Sequence, residues 1–337
     1  MSSSESSSIK AVIFGCAGPR LSDAERRFFA DAQPLGFILF QRNCRDPAQT
    51  RSLIADLRDS VGRADAPILI DQEGGRVARL KPPHWRLPPS AAQIGALEPV
   101  VAREAARINA RLIADDLHDL GVTVNCAPVL DIPVAGAHEV IGDRAFGTEP
   151  ATTAALGAAV CDGLMAGGIL PVIKHIPGHG RTRVDSHHRL PVTDTPLETL
   201  RETDFAPFAA LSGRPWAMTA HMVFSAVDNA PATLSKPLIE RIIRGEMGFD
   251  GVLFTDDLSM RALGGSLAER ARAALDAGCD LVEHCNGKLE EMTAVAAAVG
   301  PLSEAARRRI DAAEALRTAP RPIDRAALTA RLEELLG

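Results

Sequence analysis

The residues best suited to chemistry in this 337-residue sequence are carboxylates and histidines gathered at a few points. Asp256 and Asp257 stand side by side in VLFTDDLSM, after a short apolar run. The segment 174–191, KHIPGHGRTRVDSHHRLP, holds four of the nine histidines: His175, His179, His187 and His188. Pro177, Gly178 and Gly180 demand sharp turns there and let backbone approach closely. Asp185 precedes His187 by two residues. In a turn or extended stretch that spacing lets the carboxylate reach the imidazole, orient it and raise its pKa. Such a pair suits general acid/base work near neutral pH. Two other readings stay open at this level. One is a solvated polar loop. The other is a metal-dependent hydrolase with His175, His179, His187 and Asp256 as ligands, although the spacing matches no familiar zinc motif.

These side chains need elements to hold them. Eight short apolar runs, at 11–14, 36–40, 67–70, 122–127, 169–173, 216–219, 251–254 and 280–283, alternate with helical patterns. Runs that are continuously apolar fit strands buried on both faces, hence a parallel sheet covered by helices. Asp46 followed by Pro47 reads as a helix start, with Gly62 as its end. In the next long helix Ile108, Leu112, Ile113, Leu117 and Leu120 form one apolar stripe that stops at Gly121. The fold class expected is α/β, a single-domain (β/α)8 TIM-type barrel, with an open doubly wound sheet as the alternative. No G-x-G-x-x-G follows the first strand, which weakens a dinucleotide-binding reading. The boundaries expected are a flexible tail at 1–8, the catalytic barrel at 9–300 and a helical extension packed on it at 301–337.

Barrel chemistry sits at the carboxyl ends of the strands. Ionisable or polar residues recur there: Asp71, Asp131, Lys174 with His175, His221, and Thr255 with Asp256 and Asp257. Alternation along a strand would aim only one of the two adjacent aspartates into the mouth. Periodicity does not say which.

Lys and Arg number 37 against 43 Asp and Glu, a net charge of -6, which argues against nucleic acid or an anionic membrane as partner. The serine-rich start has no apolar run and does not look like a secretory signal, and no stretch is long enough for a membrane helix. The six cysteines form no C-x-x-C pair, as expected of free thiols in a reducing compartment. The expectation is a cytoplasmic enzyme, without cofactor or metal, whose partner is a small molecule. Nothing fixes an oligomeric state; a monomer is favoured.

The sequence resembles glycoside hydrolase family 3, and more narrowly the bacterial β-N-acetylhexosaminidases of peptidoglycan recycling. The resemblance is carried by DQEGGRVARL at Asp71, APVLDIP at Ala127, IGDRAFG at Ile141, KHIPGHGRTRVDSHHRLP at Lys174, AHMVFSAVD at Ala220 and GFDGVLFTDDLSM at Gly248. These segments come in family order and span most of the chain. The resemblance implies a (β/α)8 barrel, with Asp256 as catalytic nucleophile, His187 as general acid/base and Asp185 as its partner. It implies that Asp71, Arg79, Arg144, Lys174 and His175 hold the terminal sugar. The implied substrate is N-acetylglucosamine linked β-1,4 to anhydro-N-acetylmuramic acid, with or without a peptide, cleaved with retention. Substrate assistance through Asp256 and Asp257, another family 3 glycosidase, a phosphorylase and a non-enzymatic sugar binder are the rival readings. Two departures stand out: EHCNG after the eighth strand, where a more apolar lead-in is expected, and His188 beside His187, a second candidate proton donor.

Overall fold

The computed structural model describes residues 8–182, 190–260 and 262–337. Among them run the strands β1 (Lys10–Gly15), β2 (Pro34–Leu39), β3 (Ile68–Ile70), β4 (Val124–Asn125), β5 (Leu170–Ile176), β6 (Val192–Thr193), β7 (Trp216–Thr219), β8 (Val223–Phe224), β9 (Val252–Asp257) and β10 (Leu281–His284). All except β6 and β8 join in one closed parallel barrel, which β10 completes by pairing Val282 with Val12 of β1. The strands β6 and β8 form a separate parallel pair. Each barrel strand overlaps one of the eight apolar runs of the sequence, and the open-sheet alternative is thereby set aside.

The apolar runs are continuous because each strand faces two hydrophobic layers. Ile13, Leu69, Cys126, Val172, Met218, Phe254 and Leu281 point inward and pack together as the barrel interior. Their chain neighbours Val12, Ile68, Ile70, Ile173, Ala217, Leu253 and Val282 point outward into the layer shared with the helices.

Those helices are α1 (Asp23–Ala32), α2 (Pro47–Ser60), α3 (Ala91–Gly95), α4 (Pro99–Leu120), α5 (Pro150–Ala166), α6 (Leu197–Glu202), α7 (Ala206–Ala210), α8 (Leu267–Ala277) and α9 (Leu289–Ala298), with a π-type helix at Leu238–Glu246. Their ends carry local signals. The Asp46 side chain accepts from the Gln49 N–H at the start of α2, and Ser22 with Glu25 forms a capping box on α1. The stripe from Ile108 to Leu120 is buried, and Gly121 closes α4 with φ +89°.

Two further helices follow, α10 (Glu304–Ala315) and α11 (Arg325–Leu336). Leu302, Ala306 and Ala313 join Ala11, Leu35, Trp216 and Val252 in the interior cluster, so α10 covers the barrel at the amino ends of its strands. Arg309 clamps it there through Asp250 and Asp280. α11 lies against α4, with Arg325 on Asp115 and Asp116 and Arg331 on Glu104. All six cysteines are free and buried. Among the described residues no helix is long and apolar enough to cross a membrane.

Candidate active site

The carboxyl ends of the strands open into a cavity of about 300 Å³. Asp71, Arg79, Arg144, Lys174, His175 and Asp256, all singled out from the sequence, line it together. Asp185, His187 and His188 lie outside the described residues. Phe40, Glu73, His179, Glu283 and Cys285 complete much of the wall.

One side of the cavity is a buried ion network. The Lys174 ammonium donates to Asp71 Oδ1 at 2.7 Å and lies 2.6 Å from Glu73 Oε1. Arg79 donates to Asp71 Oδ2 at 3.0 Å, and its guanidinium rests on the Phe40 ring, 5.0 Å from the centroid. Arg144 grips Glu73 through two bonds of 2.9 and 2.8 Å, the planar fork meeting a carboxylate. Burial alone would raise the carboxyl pKa values. The cations outweigh it, holding Asp71 well below the carboxylate range and Glu73 at about 2. Burial would likewise strip Lys174 of its proton, but Asp71 and Glu73 hold it on. Glu73 was missed in the sequence. It lies two residues beyond Asp71, a spacing that could have marked it.

The strand β5 delivers Lys174 and His175 to the same cavity, although neighbours on a regular strand face opposite ways. The peptide between them is cis, and the pairing with β7 shifts register at this point. Asp131 anchors the turn that follows. Its Oδ2 lies 2.6 Å from His175 Nδ1, and its Oδ1 accepts from the backbone N–H groups of His175 and His179. With Nδ1 committed to Asp131, His175 turns its other ring edge toward the cavity. His179 is buried against His175, its ring edge-on at 5.7 Å, and burial first and then His175 push its pKa down to about 4. It is neutral at physiological pH.

Both flanks of the segment 183–189 are tethered. A Cβ on Gly180 would stand 1.9 Å from the Ile132 carbonyl oxygen, so only glycine fits. Arg181 pairs with Asp204 at 2.7 Å. On the other flank β6 pairs with β8.

Asp256 and Asp257 both line the cavity, which corrects the expectation that only one would. The pairing of β9 with β10 shifts register where Asp257 meets Glu283. Their carboxylates are nonetheless unequal. Asp257 accepts from the Ser259 N–H, the Ser259 hydroxyl and the Cys285 N–H. Among the described residues Asp256 accepts only from the Asp257 N–H, at 2.8 Å. Burial raises its pKa, but His221, His175, that N–H and Lys174 together bring it below the usual value. Asp256 is thus ionised with room to react, and Asp257 is held as a brace. His221, placed by sequence at a strand end, is buried behind this pair: its ring contacts the Thr233 hydroxyl at 2.7 Å and the Asp257 carbonyl at 3.1 Å. Thr255 accepts from the Glu283 N–H and joins β9 to β10.

An ionised, lightly bonded carboxylate facing a cage of fixed charges and donors can attack, or stabilise, an electrophilic carbon held by polar contacts. Among the described residues no three His, Cys, Asp or Glu side chains converge to hold a metal ion.

The profile of the glycosyl hydrolase family 3 N-terminal domain matches residues 7–317. The chain is 42% identical over 279 residues to a β-hexosaminidase of Thiobacillus denitrificans, covering 80% of this chain and 76% of the relative. It is 40% identical over 296 residues to a β-hexosaminidase of Xylella fastidiosa, covering 85% and 87%. In three dimensions it is similar to NagZ from Neisseria gonorrhoeae in complex with N-trifluoroacetyl-D-glucosamine: TM-score 0.86, 31% identity, 98% of this chain and 99% of the other.

Proposed function

Because the chain belongs to glycosyl hydrolase family 3 and is a β-hexosaminidase, we propose that it removes terminal β-linked N-acetylglucosamine from peptidoglycan fragments with retention of configuration. The fragments we have in mind are the disaccharide with 1,6-anhydro-N-acetylmuramic acid and its peptides, met in the cytoplasm. Free buried thiols agree with that compartment.

The observation that carries this reading is the ionised, lightly bonded Asp256 in the same cavity as the Asp71, Arg79, Arg144, Lys174 and His175 cage. Asp256 attacks the anomeric carbon, a covalent glycosyl-enzyme forms, and the leaving oxygen takes a proton from His187, with Asp185 orienting its ring. His187 then takes a proton from water, which attacks the same carbon and releases Asp256. Two inversions give net retention. The cage suits hydroxyl recognition: its cations donate, its carboxylates accept, and a sugar lacking the matching group would leave them unpaired. The hold of Ser259 and Cys285 on Asp257 disfavours substrate assistance by the aspartate pair.

Mass spectrometry after incubation with a 2-fluoro glucosaminide tests the class and the nucleophile together. The expected result is one covalent sugar on the peptide carrying Asp256. Potent inhibition by a thiazoline with no labelling would sink the covalent mechanism. Replacing His187 by alanine is expected to cost on the order of 10² to 10⁴ in rate on a natural disaccharide. An activated aryl leaving group should rescue part of that loss in the glycosylation step; full activity on the natural disaccharide would remove His187 from the proton-transfer role.

A further inference from the structure

The cavity wall contains a carboxyl that this chemistry does not use. Glu283 lies on β10, two residues beyond Leu281 and therefore on the same inward face. Leu281, Phe254 and Met218 keep the interior beneath it apolar, and Glu283 takes the next place toward the mouth, in the lining of the cavity. It is 1% exposed. The Cys285 thiol approaches its Oε2 at 3.5 Å, and its Oε1 has no hydrogen-bond partner among the described residues.

The groups facing it are Asp71 from the end of β3, Cys126 from just beyond β4, Asp256 and Asp257 from β9 and Cys285 from just past its own strand. From β1, at its other edge, comes Ile13. Among the described residues no cation pairs with it. An anion here would be buried and repelled by three carboxylates. Burial foremost, then those neighbours, lift the Glu283 pKa well above its ordinary value. Both effects favour the protonated carboxyl. A buried polar atom without a partner costs folding stability, and an apolar residue would fill the place at less cost. An unmade hydrogen bond beside a ligand cavity is what a bound ligand would complete.

We propose that Glu283 is a specificity-determining residue whose carboxyl hydrogen-bonds a hydroxyl of the sugar bound in the cavity. The proposal rests on the reading that the cavity holds the terminal sugar. A neutral carboxyl offers a donor and an acceptor side by side, matching a hydroxyl that can do both. An ionised one would offer acceptors only.

The test compares Glu283→Leu and Glu283→Gln in the full chain, on an aryl N-acetylglucosaminide, by kcat, KM and melting temperature from about pH 5 to pH 9. The leucine variant is expected to melt higher than the parent, since it removes the orphaned atom, and yet to lose on the order of tenfold or more in kcat/KM. The glutamine variant keeps a donor and an acceptor in place. It should retain most activity, with KM close to the parent's. Wild-type kcat/KM in the leucine variant overturns the proposal, and so does a glutamine variant as impaired as the leucine one. Should leucine prevent folding, Glu283→Ala takes its place in the same comparison. The reading of the cavity fails by a different result, the absence of a sugar adduct at Asp256 in the unaltered protein.

Discussion

Lys174 shares one ammonium between Asp71 and Glu73, and that sharing fixes what its loss would do. Removing it leaves two buried carboxylates facing each other with one arginine apiece. Breaking a buried ion network from one side costs about 3–5 kcal/mol, so Lys174→Met is expected to lower the melting temperature by several degrees and to raise KM. A variant as stable as the parent would contradict the network. The same network predicts an acid limb. The Glu73 pKa lies at about 2 because Arg144 and Lys174 outweigh burial, and Asp71 is depressed likewise. A depressed carboxylate lends its stability in full above its ordinary value near 4.5 and loses it as pH falls through the folded value near 2. Urea unfolding stepped through that window should show stability falling, and less steeply in Glu73→Gln. At this scale the sequence exposed what chemistry singles out by type and position: Asp256, Lys174, His175 and Asp71 at strand ends. It hid Glu73, because an acidic residue reads as surface until its partners are known, and it marked Glu283 only as the polar start of EHCNG, without a role.

The strands were legible because each must be apolar on both faces, a pattern that needs no knowledge of the partner strand. Departures from strand regularity were not. Lys174 and His175 face one cavity where β5 shifts register against β7, and Asp256 and Asp257 share it where β9 slips against β10. Such breaks depend on neighbouring strands, so alternation along one strand misreads them. The short β6–β8 pair escaped for the same reason: two residues per strand leave no periodicity. What the sequence did offer was the glycine pattern of the β5 loop. Gly180 lets the chain cross Ile132 at contact distance. Gly180→Ala is expected to displace the segment that carries His187, cutting kcat on a natural disaccharide on the order of tenfold or more while hurting an activated aryl substrate less. Gly18→Ala, where an added Cβ meets nothing within 4 Å, is the control. Equal losses on both substrates would detach the glycine from proton transfer.

Across the whole molecule, the charged segment after Pro301 has two different duties. The helix α10 and its lead-in supply Leu302, Ala306 and Ala313 to the barrel interior, whereas α11 rests on the outside of α4. We therefore expect a chain ending at residue 300 to expose that interior and fail to fold cooperatively. One ending at residue 320 should lose only the contacts of α11 and of its lead-in, Arg321 and Ile323. Its melting temperature should fall by a few degrees, with KM unchanged; a changed KM would tie α11 to the cavity. Barrel closure also has a consequence for synthesis. The first strand is bonded on one side to the last, Val12 to Val282, so its outer edge has no partner until some five-sixths of the chain has left the ribosome. Until then the nascent sheet offers two bare edges and an unsealed base to any passing chain. Translation speed and holding chaperones, rather than the stability of the finished barrel, would then set how much enzyme a cell obtains.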